Sequence, residues 1–241
     1  MNHSELDFLT IYTRFQSPVT TQNCGEHCAP YNELGIPFCC DSRHTILTAY
    51  LAEWDYLRTN SDLWRQWEGR NQEETMYLRS QTPDGHVLIA CVGYKLCNRQ
   101  FRSFVCRAFP FFPYVTIRGQ FIGLTYYWEY EDRCWVINNL QLISSKFVAE
   151  FITAFDEIFK YIPQEKENYR YHSSRMRRSF SIRHRAIPLL HRDGHVYEVT
   201  PRNGNLQQVS VTNLPRFGPY KIADEMPFPD EMNSSMQDSD S

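Results

Sequence analysis

No run of apolar residues in this 241-residue chain approaches the ~20 needed to cross a bilayer as a helix, so no membrane association is expected. A G-x-S-x-G elbow, a P-loop, an H-E-x-x-H helix and a Gly-rich dinucleotide loop are all missing, which removes several common enzyme classes. No internal repeat is present. Net charge is only -3, so nothing overall points to nucleic acid or an anionic membrane. One local exception is Arg175–Arg185, with five arginines, His184 and no acid. It reads as a surface-charged strand or turn, with a phosphate or nucleic-acid patch as the sharper alternative. The opening MNHSELDFLTIYTRF has no basic region followed by an apolar core and carries Glu5 and Asp7 early. The expectation is therefore a cytoplasmic protein.

What is present is aromatic and thiol-rich: 16 Phe, 15 Tyr, 5 Trp and 8 Cys. A chain of this size can bury a core without cross-links. In a reducing compartment, clustered cysteines are more often metal ligands or catalytic thiols than disulfides.

The pattern predicts an α+β fold: a small irregular cysteine-rich metal-binding core, with amphipathic helices packed on short antiparallel strands. Residues 1–23 read as an irregular or weakly helical segment. Residues 24–140 would form the cysteine-cluster domain, 141–224 a helix-plus-hairpin extension, and 225–241 a disordered acidic tail. Within this, Ile46, Leu47, Tyr50, Leu51, Trp54 and Leu57 recur at helical spacing, predicting a helix over 44–58. A second short helix would include Leu63, Trp64 and Trp67. MYLRSQ, Pro83-Asp84-Gly85 and HVLIACVGY read as a hairpin. Residues 97–113 suggest a helical turn and then an extended segment. YVTIRGQFIGLTYYWEY and RCWVINN supply further strands. Ser144 or Ser145 would cap a helix over 146–161 with a broad apolar stripe, and 186–199 a hairpin turning at Asp193-Gly194.

The cysteines form two groups: Cys24-x3-Cys28-x10-Cys39-Cys40, and Cys91-x5-Cys97-x8-Cys106, with Cys134 alone downstream. Thiolates are soft anionic ligands suited to zinc, copper(I) and iron–sulfur iron. Four complete a tetrahedral zinc site or hold one [4Fe–4S] cluster. Residues 24–43 carry Pro30, Gly35 and Pro37 and read as loop, which lets ligands converge. Arg43, Arg102 and Arg107 are candidate donors to sulfur, and His27 and His44 candidate nitrogen ligands. Glu26, His27, Asp41 and His44 lie near the cysteines as acid–base candidates or as solvated loop residues. Cys91 and Cys134 also suit the role of small buried hydrophobes. Adjacent Cys39 and Cys40 would point apart in an extended strand, so the spacing leaves open whether there is one centre or two.

The second group resembles the YkgJ-like cysteine-cluster proteins, a zinc- or iron-chelating family. The family pattern there is two cysteines, Arg-Pro, then Cys-Arg-aromatic-Pro-aromatic. This chain reads Cys91, Cys97, Arg102-Ser103, then Cys106-Arg107-Ala108-Phe109-Pro110-Phe111. The resemblance covers roughly residues 24–140. Here the first motif is stretched and Ser103 stands where the family has proline. The resemblance implies metal binding by cysteine and adds Cys91 and Cys134 to Cys24, Cys28, Cys39, Cys40, Cys97 and Cys106 as expected ligands, with Arg102 and Arg107 expected beside the cofactor. It names an iron–sulfur cluster or zinc, and one related group, the flagellin lysine methylases, acts on protein lysine. The expectation is a cysteine-ligated metal protein, iron–sulfur ahead of zinc. A redox or methyl-transfer enzyme and an interaction module with structural zinc stand as alternatives. No catalytic residue and no partner are specified.

Overall fold

The computed structural model describes residues 6–43 and 45–217. The acidic tail and His44 lie outside the described residues. Helix α1 (Phe8–Arg14) begins at Asp7, whose carboxylate accepts from the Leu9 N–H at 3.0 Å and so satisfies one orphan donor of the first turn. Its Phe8, Ile11 and Tyr12 are buried, at the spacing of one helical face. The cysteine-rich loop contains the one-turn helix α2 (Cys24–Cys28) and two 3-10 turns, Ala29–Tyr31 and Phe38–Cys40.

The helix expected over 44–58 is instead a strand, β1 (Leu47–Tyr50), running directly into α3 (Leu51–Asn60). Leu47 to Tyr50 pair with the central strand of a sheet, and the Glu53 carboxylate accepts from the Tyr50 N–H at 3.2 Å, which starts the helix there. The second expected helix is also a strand, β2 (Trp64–Gln66). Conversely, MYLRSQ belongs to helix α4 (Gln72–Gln81), capped by Asn71, which accepts from the Glu74 N–H at 2.8 Å. Strand β3 (His86–Cys91) therefore does not form the expected hairpin with MYLRSQ. It lies at the centre of a three-stranded antiparallel sheet ordered β1-β3-β2.

Next come the short helix α5 (Phe104–Ala108) and strands β4 (Phe111–Val115) and β5 (Phe121–Tyr126). RCWVINN is not a strand. It leads into a 3-10 segment, Ile137–Leu142, because the Asn138 amide turns back onto the carbonyls of Glu131 and Cys134 at 2.9 and 3.1 Å. Helix α6 (Ser145–Tyr161) starts as expected at Ser144. Helix α7 (Pro163–Ile182) has proline in its first turn, where the missing N–H costs nothing. It carries most of the arginine-rich stretch, which is therefore helical rather than extended. Strands β6 (Ile187–His191) and β7 (Val196–Val199) form the expected hairpin, and β8 (Leu206–Gln208) follows. The second sheet is antiparallel throughout, ordered β4-β5-β6-β7-β8.

One apolar core runs from Leu6 to Leu214 through both sheets. Phe147, Phe151, Phe155 and Ile158 of α6 lie fully within it, each contributing roughly 2–3 kcal/mol by burial. Helix α7 covers the free edge of β4. Its Ser173 hydroxyl accepts from the Val115 N–H at 3.0 Å and Arg177 donates to the Val115 carbonyl at 3.0 Å, so that edge is closed to further pairing. No described helix is long and apolar enough to cross a membrane.

Glu53 is completely buried. It accepts from the Tyr12 hydroxyl and from the N–H groups of Tyr50 and Phe104. Burial nevertheless pushes its carboxyl up to about 7, against those three donors. A carboxyl raised in the folded state binds its proton more tightly than in the unfolded chain. Its stabilising contribution is thus complete below pH ~4.5 and is lost as pH rises through about 7. The unfolding free energy of the wild type, measured relative to Glu53→Gln, should fall by on the order of 3 kcal/mol across that window. Denaturant titrations at several pH values check this, and a flat difference would refute it.

Candidate functional site

Helix α2 places Cys24 and Cys28 four residues apart, on one face. Gly25 lies between them because a Cβ there would come within 2.8 Å of the Pro37 ring. That close approach brings α2 against the 3-10 turn holding Cys39 and Cys40. The loop is clasped from outside by Asp41, which is buried. Asp41 accepts from Asn32 Nδ2 at 3.0 Å and from Arg43 Nη2 at 2.7 Å. The hydrogen bond from Arg43, ahead of that from Asn32, holds its carboxyl well below the usual carboxylate range.

The second group arrives from three elements. Cys91 ends β3 opposite Trp64 of β2. The Trp64 indole N–H donates to the Phe101 carbonyl at 2.7 Å, fastening the segment after Cys97 over the small sheet. Ser103 caps α5, its hydroxyl accepting from the Cys106 N–H at 3.3 Å. The serine that departs from the family pattern thus starts the helix that carries Cys106. Cys134 follows a turn, its N–H donating to the Tyr130 carbonyl at 2.9 Å. Next to it Trp135 stacks on His27 of α2, centroids 4.2 Å apart and rings within 11° of parallel.

The result is one cavity of about 630 Å³ whose wall includes all eight cysteines. Trp64, Trp67 and Trp135 supply apolar wall, and Arg65, Arg99, Arg102, Arg107 and Arg133 contribute to its lining. Cys28 is buried, Cys97 exposed, the other six half-buried, and all eight are free thiols.

Of the arginines expected beside sulfur, Arg102 is there: its Nε lies 3.1 Å from Cys97 Sγ. Arg107 lines the cavity but donates to the carbonyls of Phe15, Gln100 and Arg102 at 2.7, 2.6 and 3.0 Å, so it clamps backbone rather than sulfur. Arg43 serves Asp41 and Glu33 and is absent from the wall. The acid–base candidates fare similarly. Glu26 accepts from Asn23 at 2.7 Å, His27 is stacked on tryptophan and Asp41 clasps the loop, and none of the three lines the cavity. The contributions of Trp64 and Arg99 had no separate signal in the sequence. Trp64 fell in a segment with helical spacing, and Arg99 stood among several basic residues.

Burial favours the neutral form of most of these thiols. Burial raises Cys24 and Cys91, raises Cys134 strongly, and pushes Cys28 to about 11 and Cys106 to about 12. Cys39 and Cys40 hydrogen-bond to one another. That bond, with Arg102 near Cys40, makes Cys40 the readier thiolate, and Cys39 stays protonated. The donor chemistry suits a soft metal. The positions do not suit a single ion, since among the described residues no group of three or more His, Cys, Asp or Glu side chains is set to hold one. Comparison with protein-family models, with curated proteins and with solved structures returns no match.

Because six of the thiols are raised, a thiophilic metal bound among them must displace protons. Apparent affinity for a divalent probe such as cadmium should therefore weaken steadily as pH drops from about 9 to 6, with proton release measurable by calorimetry in buffers of different ionisation heat. Independence of pH would contradict the buried-thiol description. Gly25→Val should force α2 away from Pro37 and weaken cadmium binding at least tenfold, with the far-UV circular dichroism spectrum unchanged.

Proposed function

We propose that this chain is a cysteine-ligated metal protein carrying an iron–sulfur cluster. The observation that carries the reading is the meeting of all eight cysteines, from Cys24 to Cys134, on the wall of one cavity. Small buried hydrophobes have no reason to collect at a cavity, whereas ligands do. That no three ligating side chains among the described residues are set to hold one ion ranks a cluster ahead of zinc in this proposal. Zinc requires its thiolates within about 2.3 Å of one point, while a cluster takes one thiolate at each of several iron atoms and tolerates a wider ring.

Bound there, a cluster would supply one-electron redox capacity. The chain's own part is to hold the thiolates, to exclude water with the tryptophan walls, and to offset negative charge on sulfur through the Arg102 donor to Cys97. Among the described residues the wall contains no histidine and one carboxylate, Glu68, which favours redox over proton-transfer chemistry. Membership of the YkgJ-like family and residence in the cytoplasm belong to the same proposal, supported by the motif around Cys106 and by eight free thiols.

Purified without oxygen, the protein should be brown and contain iron and acid-labile sulfide in equal amounts. Colourless protein with stoichiometric zinc would replace the cluster by zinc. Protein that takes up neither metal, even after reconstitution, would end the reading.

A further inference from the structure

The cavity wall carries guanidinium groups that neither a carboxylate nor the fold accounts for. Among the described residues it includes Arg65, Arg99, Arg102, Arg107 and Arg133 against one carboxylate, Glu68. Arg133 is paired with Asp132 at 2.8 Å, and Arg107 clamps backbone carbonyls. Arg99 and Arg102 have no ion pair with a described carboxylate. We infer that Arg99 and Arg102 form a fork for an oxyanion, and that the cavity takes, beside its cysteines, a small-molecule ligand bearing a phosphate group. The inference does not depend on the cluster.

The two arginines belong to one turn. The 3-10 segment Arg99–Phe101 begins at Arg99 and is ended by Arg102. Side chains three apart in such a turn lie one above the other, so the two fall on the same side of it, and both contribute to the wall. Only the Nε of each is occupied. Arg99 Nε donates to the Gln16 carbonyl at 3.2 Å, and Arg102 Nε lies 3.1 Å from Cys97 Sγ. The Nη groups of both have no acceptor among the described residues.

The turn that presents them is pinned. The Asn98 side chain accepts from the Gln100 N–H at 3.0 Å. The successive carbonyls of Gln100, Phe101 and Arg102 accept from Arg107 Nη2 at 2.6 Å, Trp64 Nε1 at 2.7 Å and Arg107 Nε at 3.0 Å. The backbone therefore cannot relax to move the two like charges apart. Burial, and then repulsion from Arg102 and Arg107, lowers the proton affinity of Arg99, yet a guanidinium stays charged. A fork fixed before its ligand arrives loses little freedom on capturing it.

Each guanidinium offers a planar pair of N–H groups to a pair of oxygens. Two of them side by side match an anion of about two charges with several oxygens, which is a phosphate group near neutral pH. A carboxylate would occupy one guanidinium and leave the other unmet. The cavity, about 630 Å³, leaves room for the organic part of the ligand between Trp64 and Trp67.

The test is calorimetric titration of the full chain with inorganic phosphate and with acetate at fixed ionic strength, before and after reconstitution with iron and sulfide. Phosphate should bind once per chain with a Kd of about 1 mM or tighter. Acetate should bind at least about tenfold more weakly, and iron and sulfide should change the phosphate affinity by less than about threefold. Arg99→Gln and Arg102→Gln, each checked for native circular dichroism, should each weaken phosphate at least about fivefold. Arg65→Gln, on the same wall but outside the turn, should weaken it less than about twofold. Arg99→Lys keeps the charge and loses the planar pair, so it too should bind phosphate more weakly. No saturable phosphate binding, equal weakening by all three glutamine variants, or full affinity in Arg99→Lys would overturn the fork. Expulsion of phosphate by iron and sulfide would also overturn it, assigning the pair to the charge of the cluster and leaving the metal reading standing. Protein that binds phosphate through these two residues yet takes up no metal would support the fork and remove the metal reading.

Discussion

The guanidinium of Arg107 is the contact on which the cavity depends. It is buried, its plane lies 4.1 Å over the Tyr12 ring, and its N–H groups reach carbonyls in α1's last turn, in the 3-10 turn before Arg102, and in Arg102 itself. The Tyr12 and Phe15 carbonyls are buried, and an unpaired buried acceptor costs about 1–3 kcal/mol. One side chain thereby fixes the N-terminal helix, the loop of Cys97 and the helix of Cys106 relative to each other. Burial lowers its proton affinity, but a guanidinium stays charged in proteins. The neighbouring Glu53, held by Tyr12 and the Phe104 N–H, completes this polar knot inside an otherwise aromatic core.

Around that knot burial keeps most of the thiols neutral. Ionising even one buried thiol places an anion among tryptophans, and every further thiolate repels it. Arg102 donates to Cys97 and favours the thiolate of Cys40. A metal cation bound among the sulfurs would let several of them ionise together, which is the physical content of the metal proposal.

Where residues interact with near neighbours in the chain, the sequence was readable. The Ser144 cap and the Phe147–Phe151–Phe155 stripe declare α6, and Asp193-Gly194 declares the β6–β7 turn. Where the decision lies with a distant partner, it was not. Ile46 to Leu57 have helical spacing, yet the first part pairs with β3, whose hydrogen bonds compete successfully with a helix. Met76 and Tyr77 looked like strand residues but stand exposed on α4, where Asn71 rather than hydrophobicity sets the structure. In α7 the buried Ser173, Met176, Arg177 and Phe180 make a helical face that the abundance of arginine concealed. The α+β class was legible from the mixture of periods. So was the cysteine inventory, because thiol grouping survives errors in secondary structure. The roles of Arg107 and His27 were not, since a backbone clamp and a ring stack leave no trace in spacing.

The wall of the cavity is contributed by α2, a 3-10 turn, the end of β3, α5 and the turn before Trp135. These are separated by long stretches of chain and held together by contacts such as Trp64 with Phe101. Contacts of such sequence separation form late, because loop closure must precede them. A zinc finger folds around its metal; this chain has a core of its own from Leu6 to Leu214. On the proposed reading the order of assembly would therefore be polypeptide first and inorganic group second, making maturation a separate event acting on an already folded receptacle.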